Sequence, residues 1–118
     1  MRKIYHLKTC DTNRRIIKEL DIPSSFEFQE IKSTPITDEQ LQEMQNLSGS
    51  YESLFSKRSR QFKTMGLDKI NLTEDHYKKY ILEHYSFLKR PVLIIDNEIF
   101  IGNSKSNIEN AKSAIENL

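Results

Sequence analysis

At 118 residues the chain fits one domain, and a chain of this size buries roughly two thirds of its unfolded surface, enough for one layered core. Its composition, 36% hydrophobic and 30% charged, is that of a globular protein, and the longest apolar run, around Val92 to Ile95, is far short of the ~20 residues of a membrane helix. With 18 basic and 17 acidic residues the net charge is +1, which lacks the basic excess of a nucleic-acid binder, and one cysteine excludes an internal disulfide or a cysteine-built zinc site. Met1 to His6 carries no apolar stretch of signal-peptide length, so the reducing cytoplasm is the expected compartment.

Ile4 to Leu7 reads as a short first strand. Asp11 and Thr12 are both good N-cap residues for an amphipathic helix through Leu20. Pro23-Ser24-Ser25 breaks that pattern, and Phe26, Phe28 and Ile31 mark a second extended segment with both phenylalanines on one face. Thr37 and Gln40 have capping-box spacing ahead of a helix striped with Leu41, Met44 and Leu47. After Ser48-Gly49-Ser50 comes a helical stretch anchored by Tyr51, Leu54, Phe55 and Phe62, with Gly66 as its C-cap. A helix opening at 71–75 then turns Tyr77, Tyr80, Ile81, Tyr85 and Leu88 inward. Val92 to Ile95 and Glu98 to Ile101 flank Asp96-Asn97 as a hairpin, and Ser104 or Ser106 caps a last helix through Ile115. The order β-α-β, helical block, β-β-α predicts an α/β thioredoxin-like fold. Its mixed four-stranded sheet would form one domain over residues 1–118, with a helical insertion at about 37–88 between the halves.

The chemistry concentrates in Tyr5 to Arg14, where Cys10 stands between a strand and a helix N-terminus. Unpaired amides and the positive end of the helix dipole favour thiolate there, and the same amides can cradle an anion. His6, Lys8 and Arg14 would add positive charge if turned toward the sulfur, whereas Asp11 would oppose it. The competing reading makes Cys10 a small hydrophobe under the helix and His6 an ordinary strand histidine. His6, His76 and His84 are too scattered for a metal site, and none is expected. The second constellation is Lys89-Arg90-Pro91-Val92, a strand start whose arginine fork suits a carboxylate or a tetrahedral oxyanion.

Ile4-Tyr5-His6-x-x-x-Cys10-x-Thr12, the pair Arg58-Ser59, and Lys89-Arg90-Pro91-Val92 followed by Gly102 resemble the ArsC-like family over nearly the whole chain. That family joins glutaredoxin-dependent arsenate reductases, related glutathione-linked reductases and the Spx regulators. The resemblance implies Cys10 as nucleophile, with Arg58 and Arg90 as substrate-binding arginines; Arg60 lies close enough to Arg58 to exchange places with it. It further implies that Thr12 and Asn13 line the anion loop, that His6 and Lys8 support the site, and that Pro91 is a cis proline facing the cysteine loop. Two departures stand out. Ile101-Gly102-Asn103-Ser104 offers no third arginine, and Asn13 occupies the place of the second cysteine in the Cys-x-x-Cys of Spx proteins.

The expectation is therefore a monothiol reductase acting on an oxyanion or a glutathione mixed disulfide. It would be monomeric, hold no bound cofactor, and use glutathione as co-substrate, with glutathione or glutaredoxin as its partner. The rival reading is a Spx-like regulatory protein that binds RNA polymerase or another protein without catalysis.

Overall fold

The computed structural model describes all residues 1–118, which form two compact units: Met1–Thr34 together with Arg90–Leu118, and Pro35–Lys89.

The first unit is built on strands β1 (Arg2–His6), β2 (Glu27–Glu30), β3 (Val92–Ile95) and β4 (Glu98–Ile101), in the order β2-β1-β3-β4. β1 and β2 are parallel, which demands a crossover, and helix α1 (Asp11–Leu20) supplies it; β3 pairs antiparallel with both β1 and β4. With the last helix of the chain, Lys105–Glu116, this is the thioredoxin arrangement around a mixed sheet. Ile4, Leu93 and Ile95 on one sheet face meet Ile16 and Leu20 of α1 and Ile108, Ala111 and Ile115 of the last helix, at the i, i+3 and i+4 spacings that give a helix one apolar face. On the opposite face lie Lys3, Tyr5, Gln29, Val92 and Ile94, all buried. The buried Lys3 ammonium sits 4.8 Å from the Tyr5 ring centroid and 3.5 Å from the Glu27 carboxylate. The Gln29 amide donates to Thr34 O at 3.0 Å.

In the second unit, α2 (Asp38–Ser48) starts in a full capping box, Thr37 Oγ1 accepting the Gln40 amide at 3.1 Å and Gln40 Oε1 accepting the Thr37 amide at 3.0 Å. It ends at Gly49, whose φ of 97° is one that residues with a Cβ avoid. α3 (Arg60–Thr64) is only five residues long, and α4 (Glu74–Glu83) has its own capping box between Thr73 and His76. The terminal helix above is α5. Phe55 is the hub of the unit: Phe87 stacks on it at 5.2 Å, and Tyr77 and Phe62 lie at 4.9 and 6.0 Å. A hydrogen-bonded chain joins the helix ends nearby. The His84 Nδ1 accepts the Ser86 amide at 3.1 Å and lies 2.7 Å from the Ser86 hydroxyl, which lies 2.6 Å from the hydroxyl of Ser59, the N-cap of α3.

Three expectations need correcting. Cys10 itself, not Asp11 or Thr12, is the N-cap of α1. α4 stops at Glu83 because His84 turns extended (φ −149°, ψ 127°), so Tyr85 and Leu88 belong to a following 3₁₀ turn and its exit. Phe26 and Phe28 do not share an environment: Phe26 precedes β2 and is buried at 4%, whereas Phe28 lies on the sheet's edge strand and is 45% exposed. Burying an aromatic ring outweighs any loss of strand propensity. Phe26→Ala is expected to lower unfolding free energy by about 3–5 kcal/mol in urea titrations, and Phe28→Ala by less than about 1 kcal/mol. Equal losses would contradict this assignment of the two rings.

Candidate functional site

β1 runs antiparallel to β3 with Tyr5 opposite Val92, and Val92 pairs in turn with Ile101. This register brings the loop after β1, the Arg90-Pro91 segment before β3 and the Gly102 turn after β4 to one end of the sheet. Parallel pairing of β2 adds Glu30, opposite His6. The Arg90-Pro91 peptide bond is cis, and Pro91 O accepts the Gly102 amide at 2.9 Å.

Cys10 is half-buried at the head of α1. Thr37, Ser59, Thr73 and Ser104 each cap their helices through a side-chain oxygen, whereas Cys10 makes no capping bond. A capping hydroxyl or carboxylate would occupy the N–H of the second or third helical residue; a thiol at the cap leaves the first turn of α1 open to an outside acceptor. The short loop before it is pinned by several hydrogen bonds. Asn13, only 2% exposed, accepts the Leu7 amide on Oδ1 at 3.0 Å and points Nδ2 at Cys10 Sγ, 3.5 Å away. Arg14 donates to Lys8 O at 2.7 Å and pairs with the Asp11 carboxylate, and the Cys10 amide closes a turn onto Leu7 O at 3.1 Å.

Glu30 completes the fixation, and sequence reasoning missed it. One carboxylate oxygen takes the Lys8 amide at 2.9 Å; the other takes the amides of Lys32 and Ser33 at 3.1 and 2.7 Å and the Ser33 hydroxyl at 2.9 Å. Burial pushes its pKa up, but these four donors outweigh burial and hold it at about 2. No sequence spacing announces such a cluster, because two of its donors are backbone groups of the next turn and a third lies 22 residues away.

The cations expected around the sulfur fare unevenly. Arg14 is committed to Asp11 and Lys8 O, which also neutralises the Asp11 carboxylate. Burial holds His6 below its ordinary value, with Glu30 opposing and Lys8 reinforcing, so the imidazole is neutral near pH 7; its ring meets the edge of Phe28 at 5.9 Å. Lys8 is exposed, Thr12 is half-buried in the first turn of α1, and Arg90 is half-buried beside Pro91. Arg58 and Arg60 lie in the second unit, both exposed, one on each side of Ser59. No group of three or more His, Cys, Asp or Glu side chains is arranged to hold a metal ion, and no helix is long and apolar enough to cross a membrane. A cavity of about 670 Å³ opens at the opposite end of the sheet, between the Asp96-Asn97 turn and the end of α5, away from Cys10.

A thioredoxin fold with its single thiol at the open N-terminus of the first helix, and a cis proline entering the strand beside it, defines a class of thiol proteins. The chain belongs to the ArsC family, whose model matches residues 5–111. Two proteins named arsenate reductase, from serogroup A and serogroup B strains of Neisseria meningitidis, are each 26% identical to it over 110 residues, 91% of this chain and 94% of theirs. Among solved structures, an arsenate reductase from Vibrio cholerae superposes with a TM-score of 0.76 at 18% identity, covering 97% of this chain and 96% of that one. An arsenate reductase-related protein from Brucella melitensis gives 0.70 at 23% identity, with 92% of both chains covered. At these identities the two structures speak for the fold alone.

Ionised Glu30 is the form its four donors favour, so its folded-state pKa lies below the unfolded one. Its contribution to stability is fully present above about pH 4.5 and is lost as the pH falls toward 2. Urea midpoints measured between neutral pH and pH 3 are expected to fall more steeply for the parent than for Glu30→Gln. Parallel curves would remove the carboxylate from this role.

Proposed function

We propose that this protein is a monothiol oxidoreductase of the arsenate reductase-like kind, in which Cys10 attacks an oxyanion or a glutathione mixed disulfide. The supporting observation is the uncapped first turn of α1 with Cys10 at its head. Such a terminus offers several N–H donors and about half a positive charge to an anion that arrives beside the thiolate. Cys10 is the nucleophile, Thr12 lines the approach, and Arg90 holds the negative group of the substrate. Arg58, or Arg60 beside it, is assigned a second anion contact on the strength of the family resemblance. With one cysteine in the sequence, the second thiol comes from outside, as glutathione or glutaredoxin, in the reducing cytoplasm.

Arsenate is a mixture of mono- and dianion near neutral pH, so binding it next to a thiolate sets like charges together. Each needs cations or amides in compensation. The turn Gly102-Asn103-Ser104 supplies no arginine. The loss of one charge-assisted contact costs about 1.5–3 kcal/mol, roughly ten- to more than a hundredfold in affinity. A glutathione mixed disulfide, whose charges are spread over separate carboxylates, makes a smaller demand on the same groups.

The test couples NADPH, glutathione reductase and glutaredoxin to arsenate and to a glutathione mixed disulfide in parallel. The mixed disulfide is expected to turn over faster, Cys10→Ser to abolish both reactions, and Arg90→Ala to lower kcat/KM by roughly ten- to a hundredfold. Arg58→Ala and Arg60→Ala, assayed side by side, assign the second contact to whichever loses more. Turnover of neither substrate, together with a Cys10→Ser protein that keeps its cellular role, would replace this reading with that of a partner-binding regulator.

A further inference from the structure

The orientation of the Asn13 amide is fixed from its oxygen end. Leu7 N–H is a donor and can face only an acceptor, so the atom 3.0 Å from it is Oδ1, and the atom turned to Cys10 Sγ at 3.5 Å is the NH₂. Asn13 is buried and held in the first turn of α1, and burying an amide without partners is costly. Its oxygen has a backbone partner, and its nitrogen is aimed at the sulfur.

From this geometry we propose that Asn13 is a catalytic residue, a hydrogen-bond donor to the Cys10 sulfur that favours its thiolate form. This replaces the role in lining the anion loop that its sequence position suggests. A thiol sulfur is a poor acceptor and a thiolate a good one, so the Nδ2–H bond strengthens as Cys10 ionises. The donor acts twice in the cycle proposed above, on which this second use rests. It first stabilises the attacking thiolate. Later an outside thiolate attacks the glutathione sulfur of a Cys10–glutathione disulfide. A new S–S bond forms there, the old one breaks with its electron pair passing to Cys10 Sγ, and Asn13 receives the departing thiolate. One thiolate enters and one leaves, with no other oxidant or reductant needed.

Two substitutions separate the donor from the anchor. Asn13→Asp keeps size, shape and the acceptor for Leu7 N–H, but an ionised carboxylate offers no donor to the sulfur. Asn13→Leu removes both. With a single cysteine in the chain, thiolate absorbance followed across pH, with Cys10→Ser as the blank, reads this sulfur alone. The midpoint is expected to rise by about one pH unit in both variants, tenfold in the thiol–thiolate equilibrium, with a matching fall in iodoacetamide rate at neutral pH. A midpoint unchanged in Asn13→Asp but raised in Asn13→Leu would make Asn13 a loop anchor only and overturn the proposal.

Because the carboxylate of Asn13→Asp also repels a thiolate by its charge, a raised midpoint supports the donor only together with NMR of the parent, which answers as well if the variant fails to fold. The Asn13 side-chain NH₂ resonances should shift through the thiolate midpoint and stay put in Cys10→Ala, whereas resonances indifferent to Cys10 ionisation would overturn the proposal. These measurements need no turnover. A parent protein that is inactive on both substrates but shows the Asn13 effect defeats the assigned reaction and leaves the donor standing.

Discussion

The central position of β1 is the constraint on which the reactive end depends. β1 is paired on both sides, parallel to β2 and antiparallel to β3, and its Tyr5 sits opposite both Gln29 and Val92. A slip of one residue would turn Ile4 out of the core and move the Cys10 loop relative to Arg90 and Glu30 together. The burial that fixes the register, Ile4 at 0% and Tyr5 at 1% exposure, is thus the same burial that holds the site in place. Stability and site geometry are here one property of a five-residue strand.

Much of this was legible in the sequence because it is local. Capping oxygens announced α2, and Ser104 was one of two candidates for α5; the Asp96-Asn97 turn between two β-branched runs announced the hairpin. The start of α1 was misread by one residue for an instructive reason. Capping rules rank side chains by how well they satisfy the helix's amides, so they pass over a cysteine that leaves them open and settle on the aspartate beside it. Asp11 instead spends its carboxylate on Arg14. Where a helix start breaks the capping rule, the unsatisfied amides are themselves a sign of use.

What stayed hidden depends on distance along the chain. The exposure of Phe28 follows from the edge position of β2, which no pattern within β2 encodes. The Glu30 cluster draws on Lys8, and the Asn13 oxygen finds its partner at Leu7 on the far side of the turn. The family resemblance assigns Asn13 to the anion loop but does not say which end of its amide faces the sulfur. That assignment needed a backbone donor to fix the other end.

Composition misleads about the electrostatics of this site. A net charge of +1 suggests no field suited to anions, and the loop itself contains Asp11, with Glu30 alongside. Each negative charge is nonetheless met nearby: Asp11 pairs with Arg14, and Glu30 is enclosed by three amides and a hydroxyl. Burial holds His6 below its ordinary value, which favours its neutral form near pH 7. With these side chains balanced pair by pair, the helix terminus keeps its own partial positive charge, undiminished by a capping carboxylate. A site of this design needs no basic excess in the chain, because its polarity comes from aligned peptide units and a cap residue that does not cap.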